Sequence, residues 1–414
     1  MKRGEHTMGI IARYSARFWG IASLFAFSFL FLLFQGGKLA FMVFIIVAVL
    51  CLYLGLSRWS GISKTQGGRT LLNAEHEAVL EAGTSLAVQI QVQVPGFWPI
   101  PYVSVKDRLV RRGGEEHVFE TFLIPDWKRR GEVSYRTPPL RRGFYHFGDT
   151  DCATEDIFGL FRHKGRLELP HTFGVLPQKT HIRDWKQLHQ LFRGMHHHSA
   201  TTRSHRETTQ INGVREYIYG DRLSRIHWNA TAKTGTWKSK EFERESLPKT
   251  VILLDRNMRA YRSKEHFELA VSIAASLIDY GSSRDLALGL LSVGKDSKYF
   301  EPRLSVSHQK VIVNHLIDVE PDGQYSLMDV LRDRARLFMP GVFFTVVSPQ
   351  YGETMTQSLA WIEQRQMNPC HIWVSCDIPT AEQERWKRQM QANGTMGYAV
   401  SSLDELALAL GGRK

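Results

Sequence analysis

Between Gly213 and Glu245 the chain reads GVREYIYGDRLSRIHWNATAKTGTWKSKEFERE, and the residue types that do chemistry in proteins crowd together there. Asp221, His227 and Glu241 are the groups a hydrolase would use, a carboxylate base with an imidazole partner. The stretch also interleaves Arg215, Arg222, Arg225, Lys233, Lys238 and Lys240 with Tyr217, Tyr219, Trp228 and Trp237, the composition of a single-strand nucleic-acid grip. Glu216, Asp221, Glu241, Glu243 and Glu245 bring it close to charge balance, which removes most of the attraction to phosphate that dominates such binding, so nucleic acid is not expected as a partner. A third use is structural. Guanidinium groups pair with carboxylates in bidentate forks, so Arg215, Arg222 and Arg225 can brace the row of glutamates. No nucleophile, cofactor motif or metal-ligand set accompanies the acids, and a brace or interaction surface is preferred to catalysis. No catalytic residue and no cofactor are therefore expected.

Defined elements must hold these groups. Gly220-Asp221 supplies a turn and a helix N-cap, and Leu223, Ile226, His227 and Ala230 recur on one helical face until Gly235 can end the helix. WKSKEFERE follows as a strand. Its period of two puts Glu241, Glu243 and Glu245 on one face and Lys240, Phe242 and Arg244 on the other.

From Thr250 to the end, compact apolar runs alternate with amphipathic ones. VILLD, LALGLLSV, VFFTVVS and HIWVSC suit buried parallel strands. KEHFELAVSIAASLIDYG, with Gly281 as its cap, SLMDVLRDRARLF, ETMTQSLAWIEQRQ, AEQERWKRQMQ and LDELALAL suit helices. The pattern predicts an open, doubly wound α/β sheet over 250–414. Ligands in such folds lie beyond the carboxyl ends of the strands, which directs attention to DRNMR after VILLD. A von Willebrand factor A metal site would show D-x-S-x-S there, offering Mg²⁺ hard oxygen ligands. Asp255 matches and Asn257 could offer an oxygen, but Arg259 brings a positive charge, and the later strand ends in Ser348-Pro349 rather than an acid. The region reads as that fold without its metal, with Asp255 free to act as a strand-end cap. P-loop, GxGxxG and G-x-S-x-G motifs are missing from the sequence, so neither nucleotide chemistry nor a serine hydrolase has motif support.

Residues 70–178 read as short strands, SLAVQIQVQV, YVSVKDRLV, HVFETFLI and GEVSYRT, punctuated by Gly, Pro and charged turns; this predicts an all-β sandwich. Asp149, Asp151, Glu155 and Asp156 lack the spacing of a calcium loop and are better placed as turn caps. Residues 179–249 hold a polar connector and the dense stretch. Its MHHHSATTRSHRE has three adjacent histidines, whose side chains diverge in any regular structure, so a surface loop is preferred to a metal site.

Residues 1–69 contain two runs without a charge, within 18–34 and 39–56. At about 1.5 Å per residue each reaches roughly 26 Å, the short end of what a bilayer core of about 30 Å requires. The linker QGGK allows only a tight hairpin. A secretory signal peptide is the rival reading of the first run, but no small-x-small cleavage site precedes Gln35 and a second apolar run follows at once. Through Arg69 there are eight Lys and Arg against Glu5 alone, so this segment carries +7 of the formal +12. Lys2, Arg3, Arg13 and Arg17 precede the first run, Arg58, Lys64 and Arg69 follow the second, and Lys38 alone sits in the turn. The positive-inside rule then puts both termini in the cytoplasm of a multi-pass inner-membrane protein. Cys51, Cys152, Cys370 and Cys376 form no disulfide framework or zinc motif.

The dense stretch resembles the signature of the bacterial domain-of-unknown-function-58 family. Arg215, Tyr217, Gly220, Asp221, Arg225, Ile226, Trp228, Ala232 and Lys233 carry the likeness, and Glu241, Glu243 and Glu245 fit its acidic strand. RRGFYHFGDTDCATEDIFGLF looks like the family's upstream element, with Glu155-Asp156-Ile157 where Asp-Pro is common. The resemblance implies an α+β multidomain chain: a transmembrane hairpin, a β-rich middle, the signature, and a von Willebrand factor A-like C-terminal region. It implies no reaction. Such proteins are commonly encoded beside MoxR-type AAA+ ATPases and other membrane proteins, which implies a membrane-tethered scaffold or adaptor for an envelope-associated or stress-related assembly.

Overall fold

Two runs with no charge to solvate and no proline to break them, 18–34 and 39–56, lie within the first two elements, α1 (Lys2–Gln35) and α2 (Gly37–Leu56). The computed structural model describes residues 2–72, 80–185, 188, 206–219, 223–245, 249–376 and 378–411, with backbone alone for 2–17, 58, 206–212 and 241–245. The chain divides into two units, Met1–Leu176 and Pro177–Lys414. In the first, the chain reverses between α1 and α2 at Gly36 (φ 62) and Gly37 (φ 81), left-handed conformations that cost glycine little. The helices meet through Phe44, whose ring lies 5.7 Å from Phe25 and 5.8 Å from Phe29. The windows Phe18–Gln35 and Gly37–Leu56 have mean hydropathy 1.9 and 2.9, with only 6% and 11% of each buried. Both are long and apolar enough to cross a membrane. Their apolar surface is turned outward, unlike the buried face of a core helix in a soluble domain.

Two short 3₁₀ turns, Ser57–Trp59 and Ile62–Lys64, carry α2 into the sheets. Gly61 between them (φ 75) comes so close to the Pro95 carbonyl that any Cβ would overlap it. One sheet is antiparallel, in the order β1 (Gln66–Leu71), β3 (Ala87–Gln93), β6 (Arg130–Arg136). The other runs β2 (Leu80–Glu81), β10 (His171–Leu176), β7 (Gly143–Phe147), β4 (Val103–Arg111), β8 (Thr150–Glu155), β9 (Arg162–Leu167), with β5 (Glu116–Leu123) also paired to β4. The alternation in AVQIQVQ does what period two requires: Val88, Ile90 and Val92 enter the core while Gln91 and Gln93 face out. They meet Val103, Val105, Leu109, Tyr145, Cys152 and Val175 in one apolar cluster drawn from both sheets. The β-rich middle is thus as expected.

Arg69 is not. It is counted above as a membrane-flanking cation, yet its side chain is 3% exposed and its guanidinium lies 2.6 Å from the Asp107 carboxylate. It belongs to the core of the first unit, because the β1–β3 pairing carries it inward.

In the second unit β11 (Arg206–Glu216) and β12 (Lys238–Glu245) form a two-stranded antiparallel ribbon around a short helix α3 (Trp228–Thr234). A six-stranded sheet follows in the order β15 (Lys298–Arg303), β14 (Leu288–Val293), β13 (Thr250–Asp255), β16 (Phe343–Ser348), β17 (Asn368–Val374), β18 (Met396–Val400). Every pairing is parallel except β14 with β15, giving a doubly wound order that reverses at β13. The four expected core strands are present. The short strands β15 and β18 and the helix α5 (Val306–Ile317) were not expected. The other helices are α4 (Lys264–Ser283), α6 (Leu327–Asp333), α7 (Glu353–Gln364), α8 (Thr380–Ala392) and α9 (Leu403–Leu410). Gly281 does not cap α4. The helix runs past it, and a Cβ there would strike Leu288 Cδ1 at 1.9 Å, so the glycine serves close helix-to-strand packing. Ile182, Trp185 and Leu188 of the connector are buried with Tyr280 and Phe343 in this unit's core. That part is therefore a packed strap; the expected surface loop with His196, His197 and His198 lies outside the described residues.

Candidate functional site

The ribbon places the dense stretch. Register pairs Arg215 with Ser239 and Glu216 with Lys238, with irregularities between Glu207 and Gly213 on β11. The connection between the strands closes at its base, where Tyr217 N donates to Trp237 O at 2.9 Å and the two rings meet edge to face at 5.4 Å. Lys238 Nζ reaches Glu216 at 3.1 Å. The expected helix begins later than its periodicity suggests. Leu223–Arg225 is a 3₁₀ turn, Ile226 is buried and bridges to Ser239, and His227 N donates to Lys238 O. These bonds to β12 hold residues 226–227 extended, so α3 starts only at Trp228. His227 is its N-cap: Nδ1 accepts from Ala230 N at 3.1 Å. Gly235 ends the helix at φ 70, as expected.

The acceptor role of Nδ1 ties the His227 ring to the backbone. Gly220, Asp221 and Arg222 lie outside the described residues, as do the side chains of Glu241, Glu243 and Glu245, so the arginine–glutamate network and the Asp221/His227/Glu241 set fall outside the geometry. Arg215 Nη1 donates to Glu216 O at 2.9 Å, Arg225 is half-buried, and Lys233 is exposed. The connection shows solvent a run of large apolar groups: Ile218 64%, Tyr219 100%, Leu223 65%, Trp228 65% and Trp237 52% exposed. It presents rings on a hydrogen-bonded frame.

A second cluster lies where the strand order of the α/β sheet reverses, the usual ligand crevice of such folds. Asp255, at the end of β13, is 1% exposed. Its Oδ2 accepts from Ser348 Oγ at 2.7 Å and Gln350 Nε2 at 2.9 Å, and its Oδ1 from Asn257 N at 2.9 Å. Burial pushes the carboxyl above the usual carboxylate range, against these three hydrogen bonds that pull it down. Asn257 Oδ1 accepts from Arg259 N at 3.0 Å. Arg259 is exposed. The buried cation is Arg256, bound to Ser292 Oγ, the Glu320 carbonyl and, at 2.6 Å, Asp322. A divalent cation needs oxygen lone pairs converging on it. Here hydroxyl, amide and backbone donors already engage both Asp255 oxygens, so these residues do not fit a metal and act as a strand-end brace. Among the described residues, no group of three or more His, Cys, Asp or Glu could hold one.

With both sites described, similarity to known proteins can be placed on them. Residues 213–367 match the family described as "Protein of unknown function DUF58". The DUF58 segment thus starts within β11, takes in the exposed connection and the Asp255 cluster, and stops just before β17. The uncharacterized protein YeaD of Bacillus subtilis (strain 168) is 26% identical over 307 residues, covering 70% of this chain and 71% of that one. Among solved structures, proximal thread matrix protein 1 from the mussel byssus aligns at 14% identity and a TM-score of 0.29, over 39% of this chain and 45% of that one, under half its length. A superoxide reductase (neelaredoxin) from Ignicoccus hospitalis aligns at 10% identity and a TM-score of 0.15, over 29% and 84%. At these TM-scores neither establishes a shared fold.

Two features outside the DUF58 segment escaped sequence reasoning. The first is the buried set around Asp107, which accepts from Arg69, from Thr150 Oγ1 at 3.0 Å and from the Tyr135 hydroxyl; the Arg69 guanidinium also lies 4.0 Å over the Phe147 ring. Its signal was an acid at an inward position of YVSVKDRLV. The second is a group of exposed apolar loop residues, signalled by PGFWPIP and IPDW, where rings sit between turn formers. The acids weighed as calcium ligands are otherwise employed. Asp151 and Asp149 pair with Arg108 and Arg166 at 2.8 and 3.3 Å, and Asp156 caps the backbone of its own loop.

Proposed function

We propose that the protein is a membrane-anchored scaffold whose ribbon connection docks a MoxR-type AAA+ ATPase. The observation that carries the reading is the exposure of Ile218, Tyr219, Leu223, Trp228 and Trp237 on a connection whose backbone is tied at its base and capped at its helix. Large exposed rings on a fixed frame suit a protein interface, where aromatic anchors supply most of the affinity. The charge-free runs within α1 and α2 support anchoring in a bacterial inner membrane. Lys2, Arg3, Arg13, Arg17, Arg58 and Lys64, set against Lys38 in the first turn of α2, support cytoplasmic termini. The doubly wound order with one antiparallel edge strand, and an acid at the end of its first strand, support a von Willebrand factor A-like C-terminal fold lacking its metal. The nucleotide chemistry would belong to the partner.

Affinity purification from solubilised membranes tests this. The unaltered chain is expected to enrich a AAA+ ATPase, and the double variant Tyr219→Ala/Trp228→Ala to lose about 30-fold or more of it, the effect of removing one or two interface anchors. Equal enrichment by both, or no ATPase with either, contradicts the proposal.

A further inference from the structure

Strand register gathers three connections at one end of the first unit. Gln93 pairs with Gln66 and Arg130, and Ser104 with Phe122 and Ala153. The connections 94–102, 124–129 and 156–161 therefore emerge together, at the end where residues 57–65 enter from α2. Apart from the charged Asp126 and Lys128, their large exposed side chains are apolar: Phe97 72%, Ile124 82%, Trp127 94%, Ile157 71% and Phe158 58%. At the opposite end, Leu72 is exposed at 44%, while residues 82–86, 112–115 and 137–142 expose no large apolar side chain; the connection 73–79 there lies outside the described residues. The asymmetry is not loop flexibility. Asp156 Oδ1 accepts from Phe158 N at 2.8 Å and Leu160 N at 3.3 Å, and Asp126 Oδ1 accepts from Arg130 N at 2.7 Å, so both tips are held with their rings outward.

The same tips touch the last turns of α2. Ile157 N donates to Tyr53 Oη at 3.2 Å, the Tyr53 ring lies 5.7 Å from Trp98 and 6.1 Å from Phe158, Trp59 meets Phe97 at 6.5 Å, and the Arg129 guanidinium donates to Ser60 O. Tyr53 and Trp59 flank the end of a helix apolar enough to span, the level at which tyrosine and tryptophan collect in membrane proteins. Exposed Lys64, Lys128, Arg130 and Lys164 lie at this end or on the adjoining strands, and cations there attract anionic headgroups.

We infer that this end of the β-rich domain is seated in the bilayer interface, with Phe97, Ile124, Trp127, Ile157 and Phe158 inserted among anionic phospholipids as a second attachment beside the helical hairpin. The inference rests on the anchoring reading above. A lipid surface is the occupant because the patch is continuous with the end of the membrane helix.

The test uses the full chain in nanodiscs of mixed zwitterionic and anionic phospholipid, with its native cysteines replaced and a spin label on one introduced cysteine. The sites are Trp127→Cys, Ile157→Cys, Ile46→Cys within α2, and Glu116→Cys at the far end of the domain. Labels at 46, 127 and 157 are expected to collide more with lipid-soluble oxygen than with a water-soluble nickel chelate, and the label at 116 to show the reverse ratio. If 46 is lipid-exposed while either 127 or 157 behaves like 116, the seating is overturned and the anchor stands. If 46 also behaves like 116, the anchor itself fails and takes the seating with it.

Discussion

Asp107 is 1% exposed at an inward position of β4, and Arg69, Thr150 and Tyr135 converge on its two oxygens. A buried ion pair is costly to form and costlier to halve, because removing one partner strands the other charge out of water. Arg69→Met is therefore expected to lower the stability of the first unit by about 3–5 kcal/mol, read as a fall in its denaturant midpoint; a change below about 1 kcal/mol would mean that the pair is not buried in solution. Asp255 differs, since hydrogen bonds rather than a countercharge hold it. Asp255→Ala leaves three donors facing a void and is expected to cost about 1–3 kcal/mol, while Mg²⁺ or a chelator leaves the melting temperature of the unaltered chain unchanged. A metal-dependent rise would restore the ion site. Asp107 left a break in alternation that sequence reasoning passed over, and its partner, 38 residues away on another sheet, left no sign, because alternation within one strand says nothing about which strand faces it. Asp255 and Ser348 were legible as strand ends; Gln350, which completes the brace, carried no pattern.

Among the elements, the ribbon separates stability from recognition. His227→Ala removes the α3 cap and is expected to cost about 1 kcal/mol locally, seen as faster amide exchange over residues 228–234. Tyr219→Ala touches a fully exposed ring, so its stability should move by less than about 0.5 kcal/mol even though the docking reading has it weaken partner binding. The reverse pattern, a destabilised Tyr219→Ala with unchanged binding, would make the connection a brace. Periodicity located this helix and Gly235 ended it, but the start was misplaced because bridging of Ile226 to β12 is a tertiary constraint that a helical wheel cannot register. The strands β15 and β18 were missed for a related reason: KYFEPR and MGYAV are short edge runs, one containing proline, without the continuous apolar character of the buried strands beside them.

At the scale of the whole molecule, buried His371 and half-buried His315 make the second unit sensitive to acid. Burial lowers His315 to about 4, helped by Lys298 and Arg256, and lowers His371 to about 3. Both folded values lie below the ordinary 6.5, so the neutral rings contribute stability above that pH. It is lost as pH falls through about 6.5 toward 4 and 3, at up to about 1.4 kcal/mol per pH unit for each ring. Asp255 has the opposite sign: its raised value favours folding at low pH and less so as pH rises. The difference between the unaltered chain and His371→Phe isolates the histidine, and the variant is expected to lose less stability between pH 6.5 and 4. Equal slopes would mean that His371 is not buried neutral.

The broad architecture was readable from apolar runs and their periods, whereas the meaning of the dense stretch depended on whether its rings are covered, which composition cannot express. The direct measurement is in-cell photocrosslinking with a photoreactive amino acid at position 219 or, as a control, at 116, followed by mass spectrometry of the adducts. A AAA+ ATPase crosslinked from 219 and not from 116 is the predicted result. No ATPase adduct from 219, or equal capture from both positions, would contradict the account of this connection as a docking face.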